Sequence, residues 1–225
     1  MSPLRGRFIV LEGTDGSGTT TQCARLVEWL NTNGVAAIGT REPTSGPIGR
    51  LLRSAIEQRL VSAENSPKLL DWASLALLFA ADRVDHAHDE ICPALARGVW
   101  VVSDRYELSS LIYQSLTAPD PAGALEWVRT LNAKAERPDL TLVLDVDSDT
   151  AEARRRGRGG SEDLFEGREL QIRLVEAYRH AELYSGGSGA LVHIDGTSAP
   201  AQVTRAIIRA VQASFHALAP ATDSG

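Results

Sequence analysis

Gly13-Thr14-Asp15-Gly16-Ser17-Gly18-Thr19-Thr20 follows directly on the apolar run Phe8-Ile9-Val10-Leu11. Its glycine frame and terminal hydroxyl fit the phosphate-binding pattern G-x-x-x-x-G-K-[ST]. Glycines let successive backbone N–H groups curl around an oxyanion, and the N-terminus of the next helix adds positive potential. Gly13, Asp15, Gly16, Ser17, Gly18, Thr19 and Thr20 are therefore candidates for holding nucleotide phosphates, with Thr20 placing its hydroxyl on Mg²⁺. Thr19 stands where the pattern has lysine. That lysine normally carries a point charge to the transferred phosphate, and losing one preorganised charge costs about 10²–10³ in rate. A replacement cation must then come from elsewhere in the chain. The plain alternative, an ordinary capped turn, is weakened by the order strand, glycine frame, helix.

Three further groups have the chemistry of a phosphate site. Arg154-Arg155-Arg156-Gly157-Arg158-Gly159-Gly160 is a basic, glycine-flanked run, suited to closing over bound phosphates with bidentate guanidinium contacts. Its bland reading is a solvated helix end with cations at the C-terminus. Asp104-Arg105-Tyr106 follows an apolar run, where a Mg²⁺-organising carboxylate and an arginine near the phosphate in flight belong. Arg41, in Thr40-Arg41-Glu42-Pro43, and Arg53 supply more basic groups. Phe79 and Arg83 are four apart, hence on one helical face, where a ring and a fork of donors suit a planar base. Taken singly, Phe79 reads as a core residue and Arg83 as a surface one.

The elements that must position these residues alternate in type. Phe8–Glu12, Ala36–Thr40, Val99–Ser103, Leu140–Val146 and Leu191–Ile194 read as continuous apolar strands, the pattern of parallel strands covered on both faces. Helical periodicity fills Thr20–Thr32, Gly49–Gln58, Ser66–Arg97, Leu108–Ser115, Gly123–Glu136, Thr150–Arg156, Leu164–Tyr184 and Pro200–His216. The alternation predicts an α/β fold: one domain over 1–225, with a doubly wound five-stranded parallel sheet flanked by helices and a short arginine-rich lid at about 150–166. The tail, about 217–225, is expected to fray. Ligands of such sheets bind beyond the carboxyl ends of the strands, which is where the candidate residues fall.

Composition sets outer bounds. The 225 residues suffice for one large domain with a substantial core. A net charge of −6 argues against general nucleic-acid binding. Cys23 and Cys92 have no ligand spacing, and no signal peptide or membrane-length apolar stretch is visible, so a cytoplasmic protein is expected. Lys68 and Lys134 are the only lysines among 23 basic residues. A drift of that kind turns lysine into arginine, so it does not explain Thr19.

Taken together, the loop, Thr40-Arg41-Glu42-Pro43, Leu78-Phe79-Ala80-Ala81-Asp82-Arg83, Asp104-Arg105-Tyr106 with Ser109-Ser110-Leu111-Ile112-Tyr113-Gln114, and Arg137-Pro138-Asp139-Leu140-Thr141 resemble the thymidylate kinase family in order and spacing. The resemblance runs from Phe8 to about Val211. It implies γ-phosphoryl transfer from ATP to dTMP with Mg²⁺, in a cytoplasmic homodimer. It further implies that Asp15 contacts the deoxyribose 3′-hydroxyl, Phe79 stacks on thymine, and Arg83 hydrogen-bonds its O4. Arg53 and Arg105 would contact the dTMP phosphate, and Asp104 and Thr20 would serve the metal. Ser110 and Gln114 would meet the base edge, and Tyr113 would lie beneath the sugar, with Glu42 and Pro43 completing the acceptor site. Gly16 with an arginine-rich lid resembles the bacterial arrangement, in which Arg154, Arg155, Arg156 or Arg158 supplies the loop cation. Thr19 departs from the family pattern, as does Thr44-Ser45 where two glycines commonly follow Glu-Pro. Two rival readings remain: a non-catalytic nucleotide-binding relative, and a kinase for a related pyrimidine monophosphate such as dUMP.

Overall fold

The computed structural model describes residues 5–157, 164–165, 167–186 and 189–215. Strands β1 (Phe8–Glu12), β2 (Ala37–Arg41), β3 (Trp100–Asp104), β4 (Leu140–Asp145) and β5 (Ala190–Asp195) form one parallel sheet in the order β2-β3-β1-β4-β5. Each lies within one residue, at either end, of its sequence-based bounds. The helices are α1 (Thr19–Thr32), α2 (Pro47–Ile56), α3 (Trp72–His86), α4 (Cys92–Ala96), α5 (Glu107–Thr117), α6 (Pro121–Leu131), α7 (Ser148–Arg156), α8 (Arg168–Arg179), α9 (Ala181–Ser185) and α10 (Pro200–Ser214). A π-helical turn, Ala87–Ile91, joins α3 to α4.

Alternation along the strands divides the core between the two faces of the sheet. Ile9 and Leu11 of β1 point to one face and pack with Val102 and Leu142 against Leu26 and Leu30 of α1 and Ile207 and Val211 of α10. Phe8 and Val10 point the other way, against Val101, Ile91 and Leu95. Val143 on β4 meets Leu108 and Ile112 of α5 and Leu174 and Tyr178 of α8. Burying each such side chain stabilises the fold by about 1.5–3 kcal/mol, so the sheet is a firm platform for the loops at its carboxyl edge.

Every strand ends there on a charged residue: Arg41, Asp104, Glu12, Asp145 and Asp195, in spatial order. Leu11 pairs with Asp104, and the order reverses at β1, flanked by β3 and β4. That is the switch point at which a crevice opens in doubly wound sheets.

Three helical expectations need correction; the smallest change is in α6, which ends at Leu131 rather than at the expected Glu136. The helix expected from Ser66 starts at Trp72, because Asp71 caps it by accepting from Ala73 N–H and Ser74 N–H. Residues before it fold back, with a bridge from Val61 to Pro67 and the Lys68 N–H donating to the Leu60 carbonyl at 2.8 Å. The helix expected over Leu164–Tyr184 is two, α8 and α9, broken at His180. Arg158 and the rest of 158–163, together with residue 166 of the expected lid and the tail 217–225, lie outside the described residues. Among the described residues no helix is long and apolar enough to cross a membrane.

Candidate active site

The loop between β1 and α1 is shaped by three glycines with positive φ: 156° at Gly13, 95° at Gly16 and 99° at Gly18. Gly16 is confined further, since a Cβ there would lie 2.4 Å from the Ala151 carbonyl of α7. Gly18 caps α1 without any side-chain hydrogen bond, which leaves the first-turn amides without a side-chain partner at the cap. Thr19 opens the helix and is buried. Thr20 donates its hydroxyl to Asp104 Oδ2 at 2.5 Å. The other carboxylate oxygen, Asp104 Oδ1, is buried with no partner. These two hard oxygen groups fit Mg²⁺, which keeps waters and phosphates in its shell and takes one or two protein ligands. Among the described residues no cluster of three or more His, Cys, Asp or Glu side chains offers a protein-only cage.

The arginines of α7 diverge. Arg155 Nη1 donates to the Asp15 carbonyl at 2.8 Å and to Gln171 Oε1 at 3.0 Å. Arg154 donates to the Gly196 carbonyl at 2.9 Å and the Thr197 carbonyl at 3.3 Å, and reaches the Ser17 carbonyl at 3.4 Å. Arg156 is exposed and pairs with Glu152.

Across from the loop a cleft of about 260 Å³ collects Asp15, Thr20, Glu42, Pro43, Arg53, Phe79, Arg83, Asp104, Arg105, Ser110, Tyr113 and Gln114. Arg105 sits at its centre with φ 69°, a costly backbone for a non-glycine residue. Its guanidinium donates to Asp15 Oδ1 at 2.6 Å and Ser109 Oγ at 3.1 Å, and lies over the Tyr113 ring at 5.6 Å. The Tyr113 hydroxyl donates to Asp15 Oδ2 at 3.3 Å. Burial pushes the Tyr113 hydroxyl well above its ordinary range, with Asp15 adding to the effect, so it stays a neutral donor.

Glu12, the last residue of β1, organises the base of this wall. It accepts from Tyr106 N–H at 2.9 Å, Ser109 N–H at 3.1 Å and Ser109 Oγ at 2.6 Å, so it caps α5 from a neighbouring strand. Burial raises its pKa, against the hydrogen bond from Ser109 and the charge of Arg105.

Arg83 is fully buried. Its fork donates to Glu42 Oε2 at 2.6 Å, Asn132 Oδ1 at 2.6 Å, Ser110 Oγ at 3.0 Å and the Tyr106 carbonyl at 3.1 Å. Glu42 Oε1 in turn meets His86 Nδ1 at 3.2 Å, and Thr40 Oγ1 lies 2.7 Å from His86 Nε2. Most of the fork expected to meet a base is thus committed to protein partners. Arg83 Nε, however, has no partner, nor does Gln114 Oε1, and both residues line the cleft beside Phe79.

Arg53 reaches into the cleft while donating to the Pro43 carbonyl at 3.0 Å, after the cis Glu42–Pro43 bond. The residue that follows, Thr44, is clamped by Asp82: its N–H donates at 2.8 Å and its hydroxyl at 2.6 Å. Helix α2 packs so closely that a Cβ on Gly49 would lie 2.1 Å from the Thr44 carbonyl.

Residue spacing did not reveal Glu12, Asn132, Phe165, Gln171 or Tyr178. Phe165 closes the cleft, with its ring 5.2 Å from Tyr113, and Gln171 Nε2 donates to the Phe165 carbonyl at 2.7 Å. Glu12 alone had a legible signal, an acid ending an otherwise apolar strand just before the loop.

The family model described as thymidylate kinase matches residues 11–207. The chain is 38% identical over 182 residues to a probable thymidylate kinase of Pyrococcus abyssi, covering 80% of this chain and 85% of that protein. It is 41% identical over 166 residues to a thymidylate kinase of Alkalilimnicola ehrlichii, covering 72% of each. With a thymidylate kinase of a Synechococcus strain it shares 37% identity over 215 residues, 93% of this chain and 96% of the other. The parallel sheet, the glycine-framed loop and these matches over most of the length lead to one conclusion: the chain belongs to the thymidylate kinase family of nucleoside monophosphate kinases.

Proposed function

We propose that this chain phosphorylates dTMP to dTDP with ATP and Mg²⁺, by in-line transfer across the cleft. The observation that carries the reading is the cleft itself. One cavity joins the phosphate-loop end, Thr20 with Asp104, to a wall where Phe79, the unpaired Arg83 Nε and the unpaired Gln114 Oε1 present a ring, a donor and an acceptor. That set suits a planar base with both hydrogen-bonding senses on its edge.

Backbone amides from Asp15 to Thr20 hold the donor phosphates, and Gly13, Gly16 and Gly18 allow them to converge. Thr20 and Asp104 hold Mg²⁺, which neutralises charge on the donor oxygens when bound. Arg53 and Arg105 bind the acceptor phosphate, and Asp15 and Tyr113 orient the sugar. Glu42 and Pro43 shape the base of the pocket, while Ser110 fixes Arg83. The acceptor is already an ionised phosphate, so positioning and charge neutralisation supply the acceleration without a general base. Arg105 and the arginines of α7 provide the cationic field that Thr19 does not. A cytoplasmic homodimer is the assembly we expect.

The test is ADP release by purified protein with ATP, Mg²⁺ and dTMP, dUMP, dCMP, dGMP or AMP. Turnover with dTMP well above the others supports the reading. Preference for dUMP would make it a kinase for that relative, since one methyl discriminates by only about 1–3 kcal/mol. Tight dTMP binding without turnover would make it the non-catalytic nucleotide-binding protein to which Thr19 points.

A further inference from the structure

Thr19 removes the loop's own cation, yet two guanidinium groups lie against the loop's carbonyl oxygens. Arg155 donates to the Asp15 carbonyl at 2.8 Å, and Arg154 comes within 3.4 Å of the Ser17 carbonyl. Helix α7 is seated there by Ala151, fully buried against Gly16, and Arg155 is one turn further along the same face. The Arg155 side chain is held in that direction by Gln171. This buried amide accepts from Arg155 at 3.0 Å and donates to the Phe165 carbonyl at 2.7 Å.

A cation on a peptide carbonyl polarises the whole peptide group and strengthens the N–H at its other end. The peptide that Arg155 touches is Asp15–Gly16, and its N–H belongs to the run that faces the phosphates. We infer that Arg155, fixed by Gln171, charges the loop from behind through the Asp15–Gly16 peptide, and so compensates for Thr19 without touching the nucleotide. Both are positioning residues in this scheme, and the scheme rests on the loop holding nucleotide phosphates. It differs from an arginine swinging onto the transferred phosphate in one measurable respect. Charge behind the loop favours ADP as well as ATP, whereas a cation on the γ-phosphate favours ATP alone.

Titration calorimetry with Mg²⁺-ADP on the wild type, Arg155→Met, Arg155→Lys and Gln171→Glu tests this, with the melting temperature of each as a check on folding. Arg155→Met should weaken ADP about tenfold while Arg155→Lys, which keeps the charge, should recover most of it. Gln171→Glu places a carboxylate on the same nitrogen, cancels the charge without moving Arg155, and should weaken ADP several-fold. Unchanged ADP affinity in Arg155→Met with lost turnover would overturn the inference and put Arg155 on the transferred phosphate. Full affinity in Gln171→Glu would overturn it too, since charge would then not be the agent. A wild type that binds ADP in this Arg155-dependent way but does not phosphorylate dTMP would sink the proposed function and leave the inference standing. A wild type that binds no ADP would remove the nucleotide reading beneath both.

Discussion

The loop at residues 13–18 takes its shape from three positive-φ glycines and from the seat of α7 on Gly16, while the opposite wall is a set of buried side chains bonded to one another. Around Arg83, four protein groups from three other segments of the chain converge on one guanidinium, and Glu42 passes the linkage on to His86. On the loop side the groups that we propose hold the phosphates are amides, which every residue but proline carries. On that proposal the fold of the loop does not depend on which side chain stands at position 19, where this chain has Thr19. The difference also says where substitution should hurt.

The sharpest way to break the comparison is Arg83→Met. Removing the guanidinium leaves the buried Glu42 with only its contact to His86, and should cost about 3–5 kcal/mol in urea unfolding, with dTMP binding lost. A cost under about 1 kcal/mol would mean that the acceptor wall is no more interdependent than the loop. Thr44→Val, which takes the hydroxyl from a buried Asp82, should cost about 1–3 kcal/mol and raise KM for dTMP, while Thr44→Ser restores both. Thr19→Lys probes the tolerant side, and we expect kcat to rise less than about tenfold. A rise of about 10²–10³, the usual worth of a direct donor, would show that nothing in the chain makes up for the lysine.

The smallest effect concerns Glu12. Its folded-state pKa is raised above the ordinary 4.5, so the folded protein binds this proton more tightly than the unfolded chain. Stability from that proton is present below about 4.5 and is lost as pH rises through the folded value. The melting temperature of Glu12→Gln should therefore gain on the wild type as pH is raised from 4 to 8, and a flat difference would contradict the assignment.

The fold was legible because strands covered on both faces leave unbroken apolar runs, such as Phe8–Leu11 and Val99–Val102. The long helix expected from Ser66 was misplaced because periodicity weighs apolar spacing above a cap like Asp71. At the site, strand order and turn chemistry pointed to Asp15, Thr20, Asp104 and Arg105, which the structure gathers in one cleft. The partners that fix them were not legible. Arg83 meets Asn132 across 49 positions, and Ser109 meets Tyr178 across 69, and no local spacing encodes such meetings. Arg154, Arg155 and Arg156 looked alike as a basic run and separate only in three dimensions, where one faces the loop, one the end of β5 and one solvent.

The π-helical turn at Ala87–Ile91 has a consequence for how the chain tolerates length changes. Upstream, α3 directs Arg83 and His86 into the polar network; downstream, Ile91 and Leu95 pack under Phe8, Val10 and Val101. A π turn holds one residue more than the α-helix it interrupts, which offsets the two stretches by about 100°. It acts as a phase adjuster, letting one continuous helical rod serve the pocket with one half and the sheet with the other. Removing one residue there would close the turn to an ordinary α-turn and leave both halves facing as they do, whereas removing one from α3 or α4 would rotate one half by about 100° out of register with its task.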